Sequence, residues 1–150
     1  MIAVDTNLLV YAHRAALPEH GAARQAIERA AGMPAGWGIS HASVAEFWSV
    51  VTHPAAAGRP STSAEAAAFL SSLMGEGGAQ LWLPGPGFAE RLLRLAADLD
   101  VRGPRIFDLQ IALTAFEHGA HEIWTHDRHF MPVPGLRVRD PLGPGKGSSR

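Results

Sequence analysis

The chain has 150 residues, 47% of them hydrophobic and 18% charged, which describes one globular domain with apolar material for a single core. No apolar run reaches the roughly 18 residues a membrane-spanning helix needs, and Met1-Ile2-Ala3-Val4-Asp5 lacks the basic start of a secretory signal. Net charge is −1 and cysteine is absent, which excludes disulfides, thiolate metal sites and the broad basic field of a general nucleic-acid coat, and fits a cytoplasmic protein.

Ile2-Ala3-Val4 is a short β-branched run stopped by Asp5-Thr6-Asn7, the pattern of a buried strand that ends in a turn. A short helix is expected over Leu8 to His13. A second runs from about Pro18 to Ala31, where Ala23, Ile27 and Ala30 share a face and Gly32 supplies the stop. Trp37-Gly38-Ile39 reads as a brief strand. Ser40 then offers an N-cap to a helix whose Val44, Phe47, Trp48 and Val51 fall at i, i+3, i+4 and i+7. Beyond the 55–61 loop, Thr62-Ser63-Ala64-Glu65 matches a capping box ahead of Phe69, Leu70 and Leu73.

Leu81-Trp82-Leu83 reads as a third strand. An amphipathic helix carries Phe88, Leu92, Leu95 and Leu99, and the Arg102-Gly103-Pro104 loop follows. Another helix is expected from Phe107 to His118, with Leu109, Ala112, Leu113 and Phe116 on its apolar stripe and Gly119 as its stop. Glu122-Ile123-Trp124 is a fourth strand, and Val138 lies in a possible fifth. Short apolar strands separated by helices predict an α/β three-layer sandwich, a short, mainly parallel central sheet with helices on both faces. Residues 1–140 form that domain. The Pro-, Gly- and Ser-rich segment 141–150 reads as a disordered tail.

Ligands of such sheets bind at the carboxyl ends of the strands, and acids occupy those places. Asp5 follows the first strand and Asp127 the fourth; Asp108 lies in the first turn of its helix and Glu46 early in the helix after Ser40. Each has a plain structural reading: Asp5 as a helix cap, Asp108 as a dipole partner, Asp127 as a turn residue, Glu46 as solvated surface. Four carboxylates gathered in one pocket would raise one another's pKa. A hard divalent cation such as Mg²⁺ or Mn²⁺ would relieve that conflict and could activate a water against a phosphodiester.

The four acids sit in Ile2-Ala3-Val4-Asp5-Thr6-Asn7, Ser43-Val44-Ala45-Glu46-Phe47, Asp108-Leu109-Gln110-Ile111-Ala112 and Thr125-His126-Asp127-Arg128-His129-Phe130. In order, spacing and context this set resembles the PIN-domain nucleases, from Met1 to about Arg139. The length is similar to VapC-type toxins of VapBC toxin–antitoxin pairs. The resemblance implies a Mg²⁺- or Mn²⁺-dependent endoribonuclease acting on structured RNA such as tRNA or rRNA. It implies homodimers held inactive by a VapB-type antitoxin. Asp5, Glu46, Asp108 and Asp127 would then be the catalytic, metal-binding acids, with Asn7 and Thr125 as polar supports and Thr6 as a turn cap.

Arg102, Arg105 and Arg128 lie near the third and fourth acids and are candidates for gripping RNA phosphates. His118, His121, His126 and His129 span a helix end, a strand and a loop, so no single helix face presents them to zinc. A phosphatase of the haloacid-dehalogenase type also begins strand-Asp, but wants a second Asp where Asn7 stands and a lysine where only Lys146 is available. A catalytically silent PIN fold that binds RNA or protein is the other alternative; the presence of all four acids weighs against it. The helices between Ser40 and Leu73 carry Phe47, Trp48, Phe69 and Leu70, and any exposed part would serve as a dimer face and antitoxin groove.

Overall fold

The computed structural model describes residues 1–56 and 58–143. In chain order its elements are β1 (Ile2–Val4), α1 (Thr6–His13), α2 (His20–Ala31), β2 (Trp37–Ser40), α3 (His41–Thr52), α4 (Ser63–Met74), β3 (Gln80–Trp82), α5 (Phe88–Asp98), α6 (Arg105–Glu117), β4 (Glu122–Trp124) and β5 (Arg137–Arg139). The strands make one five-stranded sheet in the order β3-β2-β1-β4-β5. Every pairing is parallel, with Ala3 opposite Gly38 on one side and opposite Ile123 on the other.

Strand alternation divides the core into two layers. Val4, Ile39 and Trp124 pack with α1, α2, α4 and the inner side of α3, while Ala3, Trp82 and Ile123 pack with α5 and α6. Three tryptophans anchor the layers: Trp37, Trp82 and Trp124 are fully buried. Each indole N–H keeps a partner, on Gly77 O (2.8 Å), Gln80 Oε1 (3.1 Å) and Glu122 Oε1 (3.0 Å) respectively. A residue of this size removes on the order of 150–250 Å² from water, so each stabilises the fold by roughly 4–6 kcal/mol before entropy is charged against it. Gly38 is what lets Trp82 lie flat on β2: a Cβ there would land on the indole and 2.9 Å from the Gln80 carbonyl.

The three-layer parallel architecture agrees with the sequence reading, and so do the Ser40 cap and the reciprocal Thr62/Glu65 capping box. Several boundaries shift. The second helix begins at His20 rather than Pro18, and the helix expected from Phe107 begins at Arg105. Leu83 lies outside β3 and is exposed. Phe116 leaves the buried stripe of α6, because that face ends where the ring meets Gly135 near the surface. Of the segment read as a tail, Leu142 is partly buried against the α1/α2 layer; residues 144–150 lie outside the described residues.

The strand order leaves β1 and β4 as neighbours whose following segments diverge, β1 leading into α1 and β4 into the 125–136 loop. Such a divergence is where parallel sheets place a ligand crevice, at the carboxyl edge of the sheet.

Candidate active site

The crevice is built around Asp5. Its backbone N–H donates to Trp124 O (3.0 Å), which locks the ends of β1 and β4 together. Its side chain caps α1, Oδ1 accepting from the Thr6 N–H at 2.8 Å, and Oδ2 accepts from the Thr125 hydroxyl at 2.8 Å. Asp5 thus serves as a cap and as a buried carboxylate at once, only 6% exposed.

Thr125 is the hub of the polar network. While it donates to Asp5, its oxygen accepts from Asn7 Nδ2 (3.0 Å) and from the backbone N–H of Asp127 (3.1 Å), so the hydroxyl is saturated. Asn7 Oδ1 accepts in turn from the His126 N–H at 3.3 Å. The Asp127 carboxylate is aimed by the turn it closes, Oδ1 accepting from the His129 N–H at 2.8 Å. Asn7 and Thr125, expected as polar supports, both hydrogen-bond into this network, Thr125 directly to Asp5 and Asn7 to Thr125. The Thr6 side chain, expected as a turn cap, does not: Asp5 caps the Thr6 N–H, and the buried hydroxyl has no partner among the described residues.

Two further acids face this network from helices. Asp108 lies in the first turn of α6 and Glu46 near the middle of α3. Burial pushes the Asp5 carboxyl up to about 6 from the usual 3.8; the bonds from Thr125 and Thr6 pull it down, and the charges of Glu46 and Asp108 push it up again. Arg105, one turn before Asp108, places Nη1 3.1 Å from Asp108 Oδ2 and 3.9 Å from Asp127 Oδ2, and also donates to His129 O. A guanidinium therefore bridges two of the four acids.

The residues suit a hard divalent cation by their chemistry. All four are carboxylates, one has its pKa pushed up chiefly by burial and further by neighbouring negative charge, and two already gather around a positive group. In this conformation, among the described residues, no three carboxylates or imidazoles converge closely enough to grip an ion. Arg105 is the cation that Asp108 and Asp127 hold instead.

The other arginines part company. Arg102 pairs with Asp100 at 2.9 Å in an exposed salt bridge, whereas Arg128 is exposed and has no ion-pair partner among the described residues. The histidines disperse as well. His118 reaches Leu83 O and stacks on Trp82, His126 pairs with Asp140, and the His129 N–H serves Asp127. Sequence reasoning missed the bridging position of Arg105. Its i,i+3 spacing to Asp108 was the available signal.

The PIN domain profile matches residues 2–136. The chain is 34% identical over 142 residues to Ribonuclease VapC43 of Mycobacterium tuberculosis, covering 95% of this chain and 96% of that protein. It is 28% identical over 138 residues to Ribonuclease VapC48 of the same organism, with 92% and 95% covered. Among solved structures, Mycobacterium tuberculosis VapC20, described as a sarcin-ricin loop cleaving toxin, superposes with a TM-score of 0.66 at 17% identity, over 87% of this chain and 92% of that one. The VapBC2 complex of Rickettsia felis, bound to a promoter DNA fragment, gives 0.66 at 19% identity over 93% and 98%. At such identities the superpositions speak for the fold.

Proposed function

The chain belongs to the PIN-domain family, and from that premise we propose that it is a metal-dependent endoribonuclease, the toxin of a VapBC-type toxin–antitoxin pair. The observation that carries the reading is that Asp108 and Asp127 share the Arg105 guanidinium while Thr125 ties Asp127 to Asp5, whose carboxyl is pushed up by burial first and then by the charges of Glu46 and Asp108. The near-full-length likeness to named VapC ribonucleases supports the activity class.

Asp5, Glu46, Asp108 and Asp127 would hold Mg²⁺ or Mn²⁺, which supplies an activated water and neutralises charge at a phosphodiester. The remaining work falls to the chain. Thr125 would orient the Asp5 carboxylate through its bond to Oδ2, and Asn7 would orient Thr125. The His129 N–H pins one oxygen of Asp127 and leaves the other toward Asp108 and Arg105. Arg105 must release its two acids before they can serve a metal ion, and its guanidinium is then free to take an RNA phosphate. Arg128 is exposed for the same task.

Where an aspartyl-phosphate reaction wants a second Asp two residues after the first, this chain has the amide Asn7, which is committed to Thr125 and His126. Structured RNA is the substrate class we propose, in line with the sarcin-ricin loop named for VapC20. An antitoxin partner is part of the proposal, in line with the VapBC2 and FitAB complexes, to which the chain is similar in fold. A homodimer is proposed on Trp48, 37% exposed on α3, whereas Phe47 and Leu70 are buried in the core. A cytoplasmic site of action completes the reading; among the described residues no helix is long and apolar enough to cross a membrane.

The test is cleavage of labelled total RNA by the purified chain with Mg²⁺, Mn²⁺ or EDTA, beside the Asp108→Asn variant. Discrete metal-dependent cuts that vanish in the variant are expected. Near-normal cutting by Asp108→Asn would sink the proposed site.

A further inference from the structure

We propose that the groove between α3 and α6 is a nucleobase pocket, in which one unpaired base of the RNA beside the scissile phosphodiester stacks on Phe107. The inference rests on the nuclease reading above and adds to it where the substrate lies.

The groove has a volume of about 450 Å³, and its walls include His41, Glu46, Val50, Phe107, Gln110 and Ile111. That space lies in the range of small-molecule sites, too large for an ion and its waters alone. It reaches the candidate site through one acid, Glu46, which stands in its wall, and Phe107 immediately precedes Asp108 in the chain. Phe107 is 56% exposed although it belongs to the first turn of a well-packed helix. Val50, 45% exposed, supplies apolar surface from α3. A base held against these side chains would cover them.

Charge selects which part of a nucleotide can enter. The groove wall carries one carboxylate, Glu46, and neither arginine nor lysine, so a phosphate is repelled there. The guanidinium that would attract a phosphate is Arg105, which the helical turn places on the other side of Asp108 from Phe107 around the circumference of α6. The two features sort a nucleotide with its phosphate toward Asp108 and Arg105 and its uncharged base toward Phe107. Groups able to read a base edge are at hand. Gln110 spends its backbone carbonyl on Thr114 (2.7 Å), while its side-chain amide, like the His41 imidazole, has no hydrogen-bond partner among the described residues. Aromatic stacking is the usual way proteins hold bases splayed from single-stranded loops. The stack itself tolerates any base, so a preference must come from His41 and Gln110.

The experiment uses a short single-stranded RNA spanning a cut mapped in the cleavage assay, with 2-aminopurine placed at one flanking position at a time. Binding is followed in EDTA, so that no cleavage intervenes. At one position the fluorescence should be quenched on binding to the wild-type chain. Phe107→Leu, which keeps apolar bulk but removes the ring face, should abolish that quenching and weaken binding roughly tenfold; Phe107→Trp should retain both. In steady-state cleavage the loss should appear in KM, with kcat within about twofold. An abasic nucleotide at the same position should cost the wild-type chain about as much, and cost Phe107→Leu nothing further. Quenching that survives in Phe107→Leu, or an abasic penalty equal in both proteins, would overturn the pocket while leaving the nuclease standing. A Phe107→Leu chain that changes sedimentation behaviour but binds RNA normally would assign the groove to a protein interface and also overturn it. Failure of the wild-type chain to cut RNA at all would remove the reading beneath it.

Discussion

Replacing Asp5 by Asn should stabilise the metal-free chain, although Asp5 is a helix cap and the most thoroughly hydrogen-bonded acid of the site. Asn caps a helix as well as Asp does, so the bond from the Thr6 N–H survives. What disappears is a buried negative charge facing Glu46 and Asp108. Carrying the carboxyl from 3.8 to about 6 means that ionising Asp5 in the folded chain costs roughly 3 kcal/mol, at about 1.4 kcal/mol per pH unit. Against this, Thr125 already accepts two hydrogen bonds, so an amide in place of Oδ2 forfeits its donated one, at about 1 kcal/mol. A net gain near 2 kcal/mol is expected at pH 7.5, or a rise of roughly 4–8 °C in Tm.

The pH dependence gives the cause away. A carboxyl whose folded pKa is raised binds its proton more tightly in the folded chain, so its contribution favours folding at low pH and fades as pH rises through about 6. Near pH 3.8 the gain from Asp5→Asn should be absent; it should grow between 4 and 6 and level off above. Urea unfolding of both proteins in EDTA at pH 4.5, 6 and 7.5 measures this, and the difference between them removes the titration of every other group. Added Mg²⁺ should stabilise the wild-type chain more than the variant and narrow the gap at pH 7.5. An advantage that does not vary with pH, or a variant less stable at pH 7.5, would refute the burial argument.

Arg105→Ala frees Asp108 and Asp127 from their guanidinium, so Mn²⁺ affinity measured by titration calorimetry should rise about three- to tenfold; unchanged or weaker binding would show that the arginine does not compete for these acids. Thr125→Val keeps the shape but removes the hydroxyl that bonds Asp5, Asn7 and Asp127, and cleavage should fall on the order of tenfold or more while Thr125→Ser retains most of it. Gly38→Ala drives a methyl into the Trp82 ring and the Gln80 carbonyl, and should cost about 2–3 kcal/mol of unfolding free energy by chemical denaturation; a cost under about 0.5 kcal/mol would mean the two strands can part.

Much of this was legible beforehand because local signals and tertiary demands coincide. Glu122-Ile123-Trp124 is short and pairs β-branched Ile123 with aromatic Trp124, and it is β4 to the residue. The Thr62/Glu65 box and the Ser40 cap are chemistry read from side chains alone. Asp5 shows why sequence reading stalls: a helix cap and a buried carboxylate tied to the β4 end look like alternatives, whereas its two oxygens accept from Thr6 and from Thr125 at once. For Arg105 the i,i+3 spacing to Asp108 becomes informative only once α6 extends back to include it, which places its side chain beside Asp108 and toward Asp127. The fates of Phe116 and Leu83 were hidden for a related reason. Periodicity marks an apolar face but cannot say where its neighbours stop covering it.

The central claim is that acids from four elements make one cation site. Its most direct test is Mn²⁺ titration, by calorimetry, into the wild-type chain and into Asp5→Asn, Glu46→Gln, Asp108→Asn and Asp127→Asn, each first checked for folding. The account predicts that each single change weakens binding by about tenfold or more. Wild-type affinity in any folded one of the four would remove that residue from the site, and wild-type affinity in all four would contradict the site itself.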